Sequence, residues 1–162
     1  MKWMGCLIFA AAAMLAGPVA AQSQGAQSKP ADNMEILRDK LKADKKLVVA
    51  QNMDLTEAEA KGFWPVYEAY QKELGKINER LGAAVNAYAK EYNANSLTDE
   101  KAKKLIDEAI AIEEAEVQLK RGFVPRLAKV LPGRKVARYI QIENKIRAIV
   151  KYEIAAEVPL AP

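Results

Sequence analysis

Residues 55–92 read LTEAEAKGFWPVYEAYQKELGKINERLGAAVNAYAKEY and carry the clearest helical pattern in the chain. At about 100° per residue, one apolar stripe runs along this segment, and it comprises Phe63, Val66, Tyr67, Tyr70, Leu74, Ile77, Leu81, Val85, Tyr88 and Tyr92. The opposite side is polar and holds Glu68, Lys72, Glu79, Asn86 and Lys90. The pattern predicts a helix from Thr56 to Tyr92, roughly 55 Å long at the standard rise per residue. A helix of that length predicts an elongated molecule.

The start of this helix is marked by Leu55-Thr56-Glu57-Ala58-Glu59. Thr56 can accept from a free backbone amide, and Glu59, three residues on, can reach back, which is the pattern of a capping box. Pro65 lies well past the first turn, where it removes a backbone hydrogen bond, and it predicts a local kink.

Three further helices are predicted on either side of this segment. A first helix runs from 33 to about 52 and places Val48 on its apolar side. A third helix begins at 97–100, after a turn at 93–96. A fourth runs from about 134 to 156, after Pro132-Gly133 has interrupted the helical pattern. Short connections favour antiparallel neighbours. We therefore expect an all-α protein of about four helices, in which the two long helices form an elongated hairpin.

The third helix has a wider apolar band than a helix with one neighbour needs. A first stripe comprises Leu105, Ala109, Ile112, Leu119, Phe123 and Leu127, and a second beside it comprises Ile106, Ile110, Val117, Val124 and Leu131. Such a helix covers more than one neighbour or leaves a hydrophobic surface for a partner. Glu116 falls in the first stripe, so its carboxylate must be paired or sit at a gap. Gly122 and Pro125 are expected to weaken or bend this helix.

The N-terminus has the pattern of a secretory signal peptide. Lys2 precedes an apolar run from Cys6 to Ala16, and small residues end at Ala21, where we predict cleavage; an uncleaved membrane anchor is the alternative. We expect 1–21 to be the signal peptide, 22–32 a disordered leader, 33–157 a single helical domain and 158–162 a disordered tail. The expected location is the periplasm of a Gram-negative type of envelope.

Removal of residues 1–21 leaves a chain with no cysteine and no histidine. Nucleophile and base pairs of the Ser-His type, zinc sites with these ligands and carboxylate-histidine iron sites are then excluded. Glu113, Glu114 and Glu116 form the densest acidic cluster, but on a helix they spread around the axis, so we interpret them as solvated or paired with Lys and Arg. We expect no enzymatic activity, no metal and no cofactor.

Charge is distributed unevenly. The segment from Lys120 to Lys151 holds ten basic residues and one acidic residue, Glu143, whereas the segment from Asp99 to Glu116 holds seven acidic residues and three lysines. One interpretation is that the acidic third helix packs beside the basic fourth. The other is a basic, partly apolar surface for acidic or unfolded partners. Anionic lipid remains an alternative partner, and nucleic acid suits the charge but not the compartment.

The chain resembles the Spy/CpxP group of periplasmic proteins with LTxxQ motifs. Leu55-Thr56-Glu57-Ala58-Glu59 matches the first motif except that Glu59 stands in place of glutamine. The segment Leu131-Pro132-Gly133-Arg134-Lys135 keeps only the leucine of the second motif. The resemblance implies a thin, curved, antiparallel homodimer whose concave side binds unfolded protein chains, here called clients, without ATP. It also implies structural roles for Leu55, Thr56, Glu59 and Leu131.

The sequence therefore predicts an ATP-independent periplasmic holdase or stress-response protein, dimeric through its long helices. Its expected client-binding residues are Ile106, Ile110, Val117, Val124, Arg134, Arg138 and Lys145. The alternative is a regulatory adaptor that binds the periplasmic sensor domain of an envelope-stress signalling protein. A second alternative is a structural protein on the inner face of the outer membrane.

Overall fold

A computed structural model of the chain describes residues 44–162. The predicted signal peptide at 1–21, the predicted leader at 22–32 and the beginning of the predicted first helix lie outside the described residues. Within the described part the protein is all-α and contains no strand.

Four helical segments make up the described chain. Residues 44–53 form the described part of α1, and α2 spans Glu57–Asn93, α3 spans Asp99–Ala128 and α4 spans Gly133–Glu157. The predicted all-α class is confirmed, and the helix ends agree with the predicted ones to within a few residues. Both α2 and α3 continue past their internal prolines, Pro65 and Pro125.

Local hydrogen bonds fix the ends of the long hairpin. The predicted capping box is present, because Thr56 Oγ1 accepts from the Glu59 amide at 3.3 Å and Glu59 Oε2 accepts from the Thr56 amide at 2.8 Å. At the other end of α2, the Ser96 amide donates to the Glu91 carbonyl and Asn95 adopts a left-handed conformation with φ 49°. Asparagine tolerates that conformation and closes helices in this way.

Contacts between the helices set their directions. Helices α2 and α3 are joined by a short turn and pack as an antiparallel pair. Helix α4 returns along this pair, because Tyr139 near its start contacts Phe63 and the residues after its end contact Tyr88. Helix α1 runs antiparallel to α2 and α4, so that Lys45 reaches Glu143.

The core lies at the end of the hairpin where all four helices meet. Aromatic rings from α2, α3 and α4 contact one another there, mostly edge to face, with centroids 5.0 to 6.1 Å apart; they belong to Phe63, Trp64, Tyr67, Tyr70, Phe123 and Tyr139. Val49 and Met53 of α1 are fully buried against this cluster. Edge-to-face geometry is one of the favoured arrangements of such rings. Six of the seven largest fully buried side chains belong to this core, so this end of the described molecule is the best packed.

The two predicted faces of α2 are present in the structure. All ten residues of its apolar stripe are buried or half-buried, and all five opposite polar residues are exposed. On α4, Tyr139, Ile146 and Ile149 are buried, whereas Arg134, Arg138 and Lys145 are exposed. The apolar periodicity thus identified the packed side of both helices.

Residues 158–162, for which disorder was predicted, follow α4. Tyr88 Oη donates a 3.0 Å hydrogen bond to the carbonyl oxygen of Pro159, which places the tail against α2. The tail has no regular helix, as its two prolines predict.

Candidate functional site

Four apolar side chains of α3 form an exposed row on the outside of the molecule, which we call the α3 row. Their exposed fractions are 59% for Ile106, 52% for Ile110, 46% for Val117 and 40% for Val124. The fifth residue of the same predicted stripe, Leu131, lies beyond the end of α3 and is buried. The second apolar stripe therefore provides mostly free surface.

The α3 row is exposed because the other stripe of α3 makes the packing contacts. Ile112, Phe123 and Leu127 are buried against the rest of the described helices. A helix that is apolar over so much of its circumference presents more apolar surface than its neighbours in one chain can cover. Charged and polar groups flank the row: Ile110 and Val117 line a shallow depression with Glu113, Glu114, Gln118 and Arg121.

The basic residues expected to share this surface lie elsewhere. Arg138 and Lys145 line a groove between α1 and α4, together with Val48 and other residues of those helices. Arg134 is exposed at the start of α4. These basic groups and the α3 row thus lie on two separate surfaces, so the structure does not bring all the predicted client-binding residues together. Helical periodicity places a residue on one side of its own helix but does not orient two helices relative to each other.

The acidic part of α3 does pack beside the basic part of α4. Arg147 forms an ion pair with Glu116, and Lys151 Nζ lies 2.8 Å from Glu113 Oε1. Glu116 is buried, so its predicted need for a partner is confirmed. Burial lowers the pKa of Arg147, and the hydrogen bond from Lys151 lowers the pKa of Glu113. Part of the uneven charge distribution therefore serves to form ion pairs between α3 and α4.

Arg134, Arg138 and Lys145 behave differently from those paired residues. All three are exposed, and they make no ion pair within residues 44–162. They are therefore available to attract an acidic partner at long range.

The motif residues lie at the best packed end of the hairpin. Leu131 is buried in the core and Leu55 packs against it. Glu59, which caps α2, also forms an ion pair with Lys135, whose Nζ lies 2.6 Å from Glu59 Oε2. The predicted structural motifs are thus neighbours in space.

Sequence reasoning missed a buried polar network that joins three helices. Glu143 is 3% exposed; one carboxylate oxygen accepts from Lys45 Nζ at 2.9 Å and the other from Gln71 Nε2 at 2.8 Å. Gln71 also donates to the Tyr139 hydroxyl at 3.3 Å. Burial raises the pKa of Tyr139. The available signal was spacing, because Glu143 lies four residues after Tyr139 and three before Ile146 on the apolar side of α4.

Sequence reasoning also missed a groove between the open ends of α2 and α3. Its volume is about 310 Å³, and its walls include Leu81, Val85, Tyr88, Leu105, Ile106 and Ala109. Ile106 also begins the α3 row, so the groove adjoins the first residue of that row. Ile154 and Val158, from the end of α4 and the residue after it, lie over the groove.

In the described part of the chain, acidic side chains do not converge on a point that suits a metal ion. Among residues 44–162, no group of three or more His, Cys, Asp and Glu side chains is placed to hold one. In the same part of the chain, no helix combines the length and apolar character needed to cross a membrane.

Comparison of the chain with protein-family models, with curated proteins and with solved structures gave no match.

Proposed function

We propose that the protein is an ATP-independent periplasmic chaperone that holds unfolded clients. The observation that carries this proposal is the α3 row, four branched apolar side chains that remain 40% to 59% exposed on one helix face. Exposed apolar side chains that share one helix face and are rimmed by polar residues are typical of sites that bind other chains. Burial of apolar side chains from a client against this row releases water and needs no nucleotide.

The flanking charges suit transient capture. Polar groups beside the row, such as Glu113 and Arg121, keep the surface hydrated at its rim, as in weak and reversible protein contacts. The unpaired basic residues of α4 would raise the encounter rate with acidic clients. The chain would then bind many clients weakly instead of one partner tightly.

The proposal includes a homodimer, and the α3 row suits an antiparallel second copy. Ile110 and Val124 each lie seven residues from Val117, and Glu113 and Arg121 each lie four residues from it. A two-fold axis at Val117 would set the first pair against each other and the acidic residue against the basic one, as an isologous interface requires. Clients and the second copy would compete for this face.

Competition for the face has a measurable consequence. In sedimentation velocity, the mature chain should shift from monomer to dimer as its concentration rises, and excess unfolded client should reverse the shift. A monomer at all micromolar concentrations would remove the homodimer from the proposal.

The experiment that tests the chaperone function follows light scattering from a chemically denatured model client, diluted into buffer without ATP in the presence of residues 22–162. We expect suppression of aggregation near stoichiometric ratios. The double variant Ile110→Ser with Val117→Ser should suppress less, whereas Gln118→Ser, a polar change on the same face, should behave as the native chain does.

Two results would contradict the proposal. Full suppression by the double variant would remove the α3 row as the binding surface. Absence of suppression by the native chain would favour the adaptor, and a pull-down from periplasmic extract would then retain one partner at fixed stoichiometry instead of many.

A further inference from the structure

The C-terminal tail lies against the apolar groove between α2 and α3 and forms part of its wall. Val158 and Ala161 both line the groove, whereas Leu160 between them is 91% exposed. Val158 has an extended backbone, and residues 159–162 form no helix. Extended segments that contain proline commonly adopt polyproline II.

The sequence of the tail favours the same conformation. Pro159 and Pro162 fix their own φ angles, and each restricts the residue before it to extended conformations. Val158, which precedes Pro159, has φ −87° and ψ 114°. The segment Val158-Pro159-Leu160-Ala161-Pro162 is therefore extended before it meets the groove, so little conformational entropy is lost when it binds.

The groove holds the tail through one polar contact and apolar surface. Tyr88 Oη donates to the Pro159 carbonyl oxygen at 3.0 Å, and the ring of Tyr88 contacts that of Tyr92 with centroids 5.9 Å apart. A hydroxyl on a packed aromatic ring that donates to a backbone carbonyl recognises the extended backbone and not a particular side chain. Grooves lined by aromatic residues bind polyproline II segments in this manner.

We propose that this groove is a binding site for extended, apolar, proline-containing segments of unfolded clients, and that residues 158–162 are an intramolecular competitor for it. The proposal rests on the chaperone function and specifies the client segment that the apolar surface takes. The groove adjoins the α3 row at Ile106, so a longer client would cover both.

The tail is suited to displacement. It is short, its leucine points into solvent and Tyr88 provides its one hydrogen bond from a side chain among the described residues. Occupation by the tail covers apolar surface when no client is present. A client segment that is extended and apolar would make the same kind of contacts with the groove that the tail makes.

The test uses a fluorescein-labelled peptide with the sequence of residues 154–162, Ile-Ala-Ala-Glu-Val-Pro-Leu-Ala-Pro, and measures its anisotropy with the mature chain. The variant Val158→Asp with Ala161→Asp places charge in the apolar groove and should release the tail. If the tail lies against Tyr88 most of the time and blocks the peptide there, this variant should bind the peptide about tenfold more tightly than the native chain does.

Matched controls separate the groove from general effects. Leu160→Asp changes an exposed position of the same tail and should leave the affinity unchanged. Tyr88→Phe, added to the released variant, should weaken binding about fivefold, which corresponds to one hydrogen bond. A peptide in which both prolines are alanines should bind more weakly, because it is not extended in advance.

The outcomes distinguish this inference from the chaperone function. Equal peptide affinity in the native chain and the released variant would overturn the inference, whether or not aggregation is suppressed. The same holds if Leu160→Asp tightens binding as much as the released variant does. Tighter peptide binding without suppression of aggregation by any variant would support the groove and its competitor, and would overturn the chaperone function.

Discussion

Lys135 Nζ lies 2.6 Å from Glu59 Oε2, so the third residues of α4 and α2 form an ion pair. Lys135 also donates to the carbonyl oxygen of Asp54, which connects α1 to α2 in a left-handed conformation with φ 48°. Glu59 and Lys135 stand where the LTxxQ motif has glutamine. These two replacements of the motif's glutamine thus contact each other and tie the start of α4 to the start of α2.

Exchange of both residues for glutamine should lower the stability of the protein by less than the sum of the two single exchanges. Glu59→Gln leaves Lys135 near the positive end of the α4 dipole without its carboxylate, and Lys135→Gln leaves Glu59 without its cation. We expect each single variant to lower the urea midpoint and the double variant to lie closer to the native chain than the sum of the two. Circular dichroism during urea unfolding measures this as a double-mutant cycle.

The exposed pair Lys46 and Glu68 provides the control for that cycle, because its side chains are 52% and 63% exposed. Its coupling should be small, as is usual for surface pairs. If the stability losses of Glu59→Gln and Lys135→Gln simply add, the 2.6 Å ion pair contributes nothing to the free energy of unfolding.

The same ion pair predicts a dependence of stability on acid. The hydrogen bond from Lys135 is the largest cause that holds the pKa of Glu59 below its usual value of 4.5. Stability from a lowered carboxyl pKa is present above the unfolded value and is lost as the pH falls through the folded value. The difference in melting temperature between the native chain and Glu59→Gln should therefore be largest at neutral pH and shrink below about pH 4. A constant difference across this range would contradict the assignment.

Loss of the buried carboxylate of Glu143 should be among the most damaging single changes. Glu143→Leu removes the acceptor of both Lys45 and Gln71 in a site that is 3% exposed, and we expect a loss of about 3 kcal/mol in the free energy of unfolding. Adding Lys45→Met should recover part of the loss, because the unpaired cation is then gone. Urea unfolding of both variants measures the difference, and no recovery would show that the network is not organised around this ion pair.

The periodicity of single helices predicted most of the fold. Residues such as Phe63 and Tyr139 repeat at helical spacing, and burial of such residues is what packs a helix. Glu116 was also accessible to sequence reasoning, since a carboxylate inside an apolar stripe needs a partner. The partner itself, Arg147, depends on how α3 and α4 lie together, which helical spacing does not determine.

The sequence predicted only the part of the candidate site that lies on a single helix. The α3 row follows from the surplus apolar stripe that includes Ile110 and Val117, and it is exposed as expected. The groove needs α2, α3 and the tail in their relative positions, and the contact between Tyr88 and Pro159 joins residues 71 apart in the chain. Disorder was predicted for that tail because it cannot continue a helix, and helical spacing carries no information on contacts with residues as distant as Tyr88.

Two glycines of α2 should respond in opposite ways to alanine. A Cβ at Gly62 would lie 3.0 Å from Val130 Cβ, whereas a Cβ at Gly75 meets nothing within 4 Å. Gly75→Ala should stabilise by up to about 1 kcal/mol through helix propensity. Gly62→Ala should destabilise by about 1 kcal/mol, because crowding the branched side chain that follows α3 exceeds that gain. Urea unfolding measures both, and equal stabilisation would show that Val130 moves aside freely.

Reversal of the unpaired basic charges of α4 tests whether they steer clients. Changing Arg134, Arg138 and Lys145 to Glu breaks no ion pair within residues 44–162, so the fold should persist. Capture of an acidic client, followed by stopped-flow fluorescence, should slow several-fold at low salt, and the rate should lose the decrease with salt that the native chain shows.

A matched variant separates local steering from net charge. It reverses three exposed lysines of the long hairpin and therefore changes the net charge equally; these are Lys72, Lys90 and Lys104. If the α4 residues steer clients, this control should slow capture less than reversal on α4 does. Equal slowing would assign the effect to net charge, and an unchanged rate in both variants would mean that clients reach the α3 row by apolar contact alone.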